Sequence, residues 1–244
     1  MKYLSSLLFA LLALVLFIPN TSAQDAKELL NKTLKAYGGN KYKKAHYQFI
    51  FRDKVYRFKN NKDTYQYSVR KTVNGTQIFD QLSNGQFSRS INGVESTLSK
   101  KEVMGATGSL NSVIYFATLP YKLLDPAVNL AHGGTTTIKG VEYKLLEVTF
   151  DEEGGGVDHD DQFIYWIRTD NHRIDFLAYN YRVNGGGVRF RAAYNTRTVG
   201  GILFQDYVNY KAPVGTPLAD LPALYEKEEL KKLSVIATES VVKL

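Results

Sequence analysis

The sequence predicts a mainly β (α+β) protein: a strongly curved antiparallel sheet or half-open β-barrel of about ten or eleven strands, with an N-terminal helix and a short helical insertion covering the concave face. Three observations support this fold. Apolar and polar residues alternate along most of the chain, as in strands that bury one face. Asn-Gly pairs at Asn74, Asn84 and Asn92 separate successive segments, and this pair favours hairpins because both turn positions tolerate positive φ. Two segments with helical spacing interrupt the alternation.

The first 23 residues have the features of a signal peptide. Lys2 precedes an apolar run over residues 4–18, and small residues at positions 21–23 suit a cleavage site. The run is shorter than the roughly 20 residues that a membrane-spanning helix needs. We therefore expect cleavage after about Ala23 and export to the periplasm, with residues 24–244 forming a single curved β-sheet domain. Because the sequence contains no cysteine, we expect no disulfide and no lipoprotein anchor.

The charge of the chain is uneven. The formal net charge is +7, and residues 24–101 contain 16 Lys and Arg against 6 Asp and Glu, whereas residues 102–244 contain 14 against 18. A basic half is usually a well-solvated surface, and in an exported protein it also suits contact with an anionic membrane surface. The sequence has no recognisable nucleic-acid-binding motif, so we do not expect a nucleic-acid partner. It leaves open whether the protein is a monomer or an oligomer.

Residues 25–37 have the spacing of an amphipathic helix, with apolar residues at i, i+3, i+4 and i+8 from Ala26. Two glycines follow this segment and suit a left-handed C-terminal cap. From residue 42 the apolar period changes to two, which predicts a meander of strands. After a first strand that includes residues 47–51, its segments are residues 55–59, 64–73, 76–82 and 86–91.

The middle of the chain predicts helices. Residues 99–102 have the Ser-x-x-Glu spacing of a capping box, which indicates a short helix, and helical spacing recurs over residues 110–120. Asp125 followed by Pro126 predicts another helical turn, which continues to His132. Strands resume at residues 135–139 and 142–150, four more are predicted over residues 158–210, and a closing strand is predicted near residues 233–242.

Short motifs recur in the second half of the chain, at residues 111–116, 119–121, 125–128, 154–161, 165–166, 174–179, 189–191, 193–195, 206–207 and 209–210. Together they resemble a family of exported gram-negative proteins known only as a domain of unknown function. The resemblance covers roughly residues 24–211 and implies export and a single domain, but no activity. The order of elements is also similar to the lipoprotein-carrier (LolA-like) fold. That likeness is architectural, and it implies a carrier function by analogy alone.

An acidic loop follows the glycines at residues 154–156. It contains Asp158, His159 and Asp161, and in a strand His159 and Asp161 would project to the same face. With a third ligand from elsewhere they could hold a divalent metal ion, or they could act as catalytic acid–base groups. A solvated acidic turn is the simpler interpretation, because metal sites inferred from motifs alone are often false positives. We therefore predict no cofactor, with a divalent metal as the alternative.

Arg189 and Arg191 share one face of a predicted strand. They could form an anion clamp, because guanidinium groups are planar bidentate donors. A solvent-facing polar row is an equal alternative. A turn near residues 196–201 would place Gln205 and Tyr207 about opposite the arginines. Aromatic residues alternate on both faces, so either both faces are covered or one lines a cavity. The predicted ligand-binding residues are Tyr165, Trp166, Tyr179, Arg189, Arg191, Tyr207, Asn111 and Tyr115.

Two functions are compatible with these features. The first is a periplasmic protein that binds or carries a hydrophobic or amphiphilic, lipid-like ligand in a cavity between the curved sheet and its helices. It is favoured because the sequence has no nucleophile, zinc-protease or phosphate-loop motif. The alternative is an exported hydrolase or lyase that uses Asp158, His159 and Asp161 with Arg189 and Arg191 as an anion clamp. Convergence of these five residues in one cleft would favour the enzyme.

Overall fold

A computed structural model of the protein describes residues 21–155 and 159–244, and within these ranges it contains fourteen strands. The predicted signal peptide at residues 1–23 lies almost entirely outside them. The strands are β1 His46–Phe51, β2 Lys54–Asn61, β3 Thr64–Val73, β4 Thr76–Ser83, β5 Gln86–Ile91, β6 Val94–Glu95, β7 Val128–Ile138, β8 Val141–Phe150, β9 Gln162–Arg168, β10 Ile174–Tyr181, β11 Gly187–Val199, β12 Ile202–Ala212, β13 Lys231–Ile236 and β14 Glu239–Lys243.

Two long helices accompany these strands in the described residues, α1 at Thr21–Tyr37 and α2 at Lys100–Ala117. After α1 the backbone of Gly38 has a φ of 126°, and a Cβ there would lie 2.7 Å from the carbonyl oxygen of Gly201. Glycine is therefore needed where the end of α1 meets the β11–β12 hairpin. In the described part of the chain, no helix has both the length and the hydropathy of a membrane span. Shorter helical segments are Gly39–Lys44, Tyr121–Leu124, Glu152–Gly155, Val183–Gly185, Leu218–Asp220 and Leu221–Glu226.

α2 is one continuous helix that joins the two helical patterns of the sequence. The predicted capping box begins it: Ser99 Oγ accepts from the Glu102 N–H at 3.3 Å, and the Glu102 carboxylate accepts from the Ser99 N–H at 2.9 Å. Leu110 and Ile114, which are four residues apart on one face, are buried in the core. The helix thus covers the sheets with its second half.

The helical turn predicted at Asp125 and Pro126 is wrong. Asp125 Oδ1 accepts from the Ala127 N–H at 3.2 Å, which makes a local turn, and β7 then begins at Val128. Val128 pairs with Phe150 of β8. This long-range pairing outweighs the local helix signal, because an Asp side chain that can cap a helix can equally close a turn.

The strands form two seven-stranded antiparallel sheets; the second is a meander, and the first is a meander of β1 to β6 with β14 added beside β1. The first has the order β14-β1-β2-β3-β4-β5-β6, and the second has the order β13-β12-β11-β10-β9-β8-β7. The closing segment predicted as one strand is two, β13 and β14, and each belongs to a different sheet. The chain therefore crosses between the sheets at residues 237–238. The predicted class, an open antiparallel β architecture with an N-terminal helix and a helical insertion, is confirmed, and β6 and the divided closing segment add to the predicted strand count.

The two sheets share one core, and the second sheet has another core on its opposite face. Phe49 of β1, Ile114 of α2 and Tyr165 of β9 lie together in the shared core. Trp166, the neighbour of Tyr165, points the other way and packs in a second cluster with Leu221 of the C-terminal segment. Because both faces of the second sheet are covered, its strands carry aromatic residues on both sides.

Asp206 of β12 fixes the crossover between the sheets and is only 3% exposed. Its Oδ1 accepts from the Thr238 N–H at 2.9 Å and lies 3.1 Å from Arg197 Nη1, while its Oδ2 accepts from Asn195 Nδ2 at 2.6 Å. Arg197 also donates to the carbonyl oxygen of Thr238. A register shift between Tyr194 and Arg197 brings these groups to one side of the hairpin.

Replacing Asp206 by alanine should therefore lower the free energy of unfolding by about 3 kcal/mol, because it leaves the partly buried Arg197 guanidinium without its carboxylate and the buried Thr238 N–H without an acceptor. Urea denaturation measures this loss. Asp170→Ala is the matched control: Asp170 pairs with Arg168 at 2.7 Å, but its side chain is 58% exposed. It should cost less than about 1 kcal/mol. Equal losses in the two variants would contradict a structural role for Asp206.

Candidate functional site

A cavity of about 310 Å³ lies between the second half of α2 and strands β10 to β13, beside the β1–β2 turn. Its lining therefore includes residues of both sheets, of α2 and of the segment that joins β13 to β14. Its lining residues are Phe51, Arg52, Ser112, Val113, Phe116, Ala117, Tyr179, Arg191, Gln205, Tyr207, Asn209, Ile236 and Thr238.

The alternation of β11 decides which of its side chains can reach this cavity. Arg189 and Arg191 lie on the strand face that α2 covers, whereas Phe190 lies in the second core on the other face. The sequence pattern therefore predicts the faces of these residues correctly.

The pairing across β11 and β12 differs from the sequence prediction. Asn209 lies opposite Arg191, whereas the sequence places Gln205 and Tyr207 about opposite the arginines. The prediction is wrong because the hairpin turns tightly at residues 200–201, which moves the partner of Arg191 further along β12. Gln205 and Tyr207 still line the cavity, since they share the face of Asn209.

Arg191 is the buried charge of the cavity, with only 6% of the residue exposed. Its Cζ lies 3.7 Å from the centroid of the Phe116 ring, and its Nη2 donates to the Tyr179 hydroxyl at 2.8 Å. The Nε and Nη1 atoms are buried and have no hydrogen-bond partner among the described residues. Among the described residues, the lining includes a second cation, Arg52, and no Asp or Glu.

Arg189 has different surroundings from Arg191. It donates to the Tyr181 hydroxyl and, at 3.0 Å, to the carbonyl oxygen of Val188, and its Cζ lies 5.0 Å from the Tyr181 ring centroid. It is absent from the cavity lining. The two arginines predicted as one clamp therefore face different surroundings.

Five of the eight predicted ligand-binding residues lie outside the cavity lining. Tyr115 and Tyr165 share a hydrogen bond of 2.6 Å between their hydroxyls in the shared core. Trp166 lies in the second core, and Asn111 is exposed on α2. The fifth is Arg189. The cavity does contain Tyr179, Arg191 and Tyr207.

The described residues of the acidic loop, from His159 onward, do not line the cavity. Asp158 lies outside the described residues. His159 Nε2 is 3.8 Å from Asp160 Oδ1, and Asp160 Oδ2 is 3.4 Å from Arg182 Nη1. Neither His159 nor Asp161 lines the cavity. In residues 21–155 and 159–244, no three His, Asp or Glu side chains cluster closely enough to hold a metal ion.

Several cavity residues are missing from the sequence-based site. Arg52 comes from the β1–β2 turn, and Ile236 and Thr238 come from the crossover of the chain between sheets. No local motif marks them, because sheet topology alone brings them to β11. Phe116 is different: it lies in a motif that carries the family resemblance, and that motif could have identified it.

Burial raises the pKa of the tyrosine hydroxyls in and next to the cavity. The pKa of Tyr207 is raised to about 12 by burial, although the hydrogen bond from Gln205 and the charge of Arg191 act in the opposite direction. Burial also raises the pKa of Tyr115 and of Tyr165 above the usual range. These hydroxyls are therefore protonated at neutral pH and remain hydrogen-bond donors.

Comparison with known proteins identifies a family and a fold. The family model described as "Family of unknown function (DUF6503)" matches residues 6–238. A solved DUF1329 family protein from Desulfovibrio piger ATCC 29098 is similar with a TM-score of 0.53 and 10% identity, over 91% of this chain and 93% of that chain. A LolA superfamily protein from Nitrosomonas europaea gives a TM-score of 0.48 and 11% identity, over 80% of this chain and 87% of that chain. No curated protein matches the chain.

The buried tyrosines predict a loss of stability at alkaline pH. A tyrosine in the unfolded chain ionises near pH 10, whereas Tyr207 in the folded protein keeps its proton until about pH 12. Rising pH therefore favours the unfolded state within this window. Tyr207→Phe removes the ionisable hydroxyl. When the pH is raised from 9 to 11, the unfolding free energy of the variant should therefore fall by about 1.4 kcal/mol less than the unfolding free energy of the wild type. Urea denaturation at the two pH values measures the difference, and equal losses would contradict the prediction.

Proposed function

We propose that this chain, which belongs to the DUF6503 family of unknown function, binds an amphiphilic small molecule in the cavity between α2 and the second sheet. One observation carries the proposal: a buried arginine without an anion lies in the same cavity as an apolar wall. The wall is formed by Phe51, Val113, Phe116, Ala117 and Ile236. Such a site suits a molecule with an apolar part and a polar head.

The size and composition of the cavity support a small ligand. Its volume of about 310 Å³ is at the lower end of the range of about 300–1,000 Å³ that is usual for ligand sites. Such sites are mostly apolar and contain a few polar groups that orient the ligand. Tyr179, Gln205, Tyr207 and Asn209 supply those groups here.

The entrance that we propose for the ligand is the β1–β2 turn, because Arg52 of this turn is exposed and lines the cavity. Arg52 is exposed in this turn, and its Cζ lies 5.0 Å from the ring centroid of Phe51. Both residues line the cavity, while Arg191 is buried at its inner wall. A ligand that enters here would therefore pass a cation and an aromatic ring before it reaches the enclosed arginine.

The positions of the candidate catalytic residues favour a binding protein over a hydrolase or lyase. The enzyme hypothesis depends on His159 and Asp161 meeting Arg189 and Arg191 in one cleft. Of these four described residues, only Arg191 lines the cavity. The described lining residues also include no histidine or carboxylate that could act as a general base.

The signal-peptide pattern of residues 1–23 supports a periplasmic location for this function. An exported binding protein could carry an amphiphile or keep it out of water, and the basic residues 24–101 would suit contact with an anionic membrane surface. Release of the ligand would then occur near that surface.

Filling the cavity should abolish binding. Decanol is a suitable probe because it is a small amphiphile without charge, and isothermal titration calorimetry gives its affinity. Val113→Trp places a large ring against the apolar wall and should weaken decanol binding at least about tenfold. Met104→Trp is the matched control on the same helix, because Met104 is 58% exposed and absent from the cavity lining.

The Met104→Trp protein should bind decanol like the wild type. Circular dichroism should show that both variants are folded, and Ile236→Trp provides a second cavity-filling variant from the opposite wall. If both cavity-filling proteins are folded and bind decanol with unchanged affinity, the cavity is not the binding site.

A further inference from the structure

We infer that Arg191 forms a subsite for the oxyanion head group, a carboxylate or a phosphate, of the amphiphile. This inference rests on the proposed binding function and names the chemical class of the ligand. It is based on the burial of Arg191, its unused donors, the neighbouring polar groups and the charge of the cavity.

The first argument is that Arg191 is enclosed without a counterion. Arg89, Arg168 and Arg197 are each partly shielded and each pair with a carboxylate, at 2.8 Å from Asp80, 2.7 Å from Asp170 and 3.1 Å from Asp206. Arg191 is 6% exposed, and the described residues provide no carboxylate for it. A buried charge without a partner is costly. The anion of a ligand would remove this cost.

The second argument is that the guanidinium group is held in a fixed orientation. One face lies on the Phe116 ring, and the ring of Tyr179 is 5.1 Å from Cζ. The hydrogen bond from Nη2 to the Tyr179 hydroxyl fixes the rotation of the plane. Nε and Nη1 are the donors that remain unused in the described structure. A planar donor group that is already oriented loses little entropy when it binds an anion.

The third argument is that two neighbouring polar groups can add donors. Asn209 lies opposite Arg191, and its Nδ2 is 3.3 Å from Ser234 Oγ, while its Oδ1 has no partner among the described residues. If the Asn209 amide is rotated by half a turn, its Oδ1 can accept from the Ser234 hydroxyl, because a hydroxyl both donates and accepts. The NH2 group then takes the position of the unpartnered oxygen and can donate from there. Tyr207 accepts from Gln205 at 2.7 Å, so its own hydrogen can also be donated.

The fourth argument is the sign of the charge in the cavity. In residues 21–155 and 159–244, Arg52 and Arg191 are the charged residues of the lining, and both are cations. Arg52 is at the exposed end and Arg191 at the enclosed end. An anionic head group would be attracted at the mouth and bound more strongly inside, where the dielectric constant is lower.

Calorimetry with three ligands that share one apolar chain tests this inference. Decanoate and decyl phosphate carry the two oxyanions, and decanol carries an uncharged head. The wild type should bind one or both anions about 10- to 100-fold more tightly than decanol, because hydrogen bonds to charged groups are stronger than those between neutral groups. The tighter of the two anions distinguishes a carboxylate head from a phosphate head.

Arg191→Met keeps the length and apolar stem of the side chain but removes its charge and donors. It should lose the preference for the anions and bind decanol within about threefold of the wild type. Its unliganded melting temperature should equal or exceed that of the wild type, because an uncompensated buried charge is gone. A fall in melting temperature together with an unchanged preference for anions would mean that Arg191 is structural, which would overturn the inference.

Arg189→Met is the matched control, because Arg189 lies on the same face of the same strand outside the cavity lining. It should retain the preference for the anions. If Arg191→Met does not fold, Arg191→Lys should reduce the preference at least about threefold, since an ammonium group lacks the planar donors. Unchanged preference in that variant overturns the inference.

The wild-type results separate the two proposals. If neither decanoate, decyl phosphate nor decanol binds, the proposed function itself is wrong. If decanol binds and the anions bind no more tightly, the binding function stands and the head-group subsite is wrong.

Discussion

The crossover between the two sheets is the constraint on which the rest of the structure depends, and the carboxylate of Asp206 holds it. Two consecutive strands, β13 and β14, join different sheets, so the chain must turn away from one sheet edge at Thr238. Asp206 accepts from both the backbone and the side chain of Thr238, and Arg197 and Asn195 complete the cluster. Ile236 and Thr238 consequently form one wall of the cavity, which exists because the sheets part here.

Arg191 and Arg197 lie six positions apart on β11 and have different interaction partners. Arg197 meets the carboxylate of Asp206, so its burial is compensated within the protein. Arg191 meets aromatic rings and a tyrosine hydroxyl, which orient it but do not neutralise its charge. The described part of the chain supplies Arg197 with a buried anion but not the more deeply buried Arg191, and this contrast supports the head-group subsite that we infer.

The fold could be predicted from the sequence more completely than the site. Alternation and Asn-Gly turns such as Asn74–Gly75 predict the strands, and the capping box from Ser99 predicts the start of α2, because these signals are local. The crossover at Thr238 could not be predicted, since residues 233–242 read as one apolar strand. The contribution of Arg52 to the cavity could not be predicted either. It depends on which strands become neighbours, and the alternation of apolar and polar residues does not determine strand neighbours. Alternation does place Arg191 on the same face as Arg189, but whether that face is covered, and whether a carboxylate reaches Arg191, are matters of topology.

The two faces of the second sheet have different surroundings: one is covered by the C-terminal segment, and the other faces the shared core and the cavity. On one face, Trp166 and Phe190 pack edge to face, and the C-terminal segment covers them through Leu221 and Tyr225. This second core and the shared core together fix the strands of the second sheet from both faces. Arg191 can then be held at a fixed position by the backbone of β11, even though its own burial is unfavourable. A binding group on a rigid strand stays oriented when no ligand is present, which is the condition for recognising a small head group with few contacts.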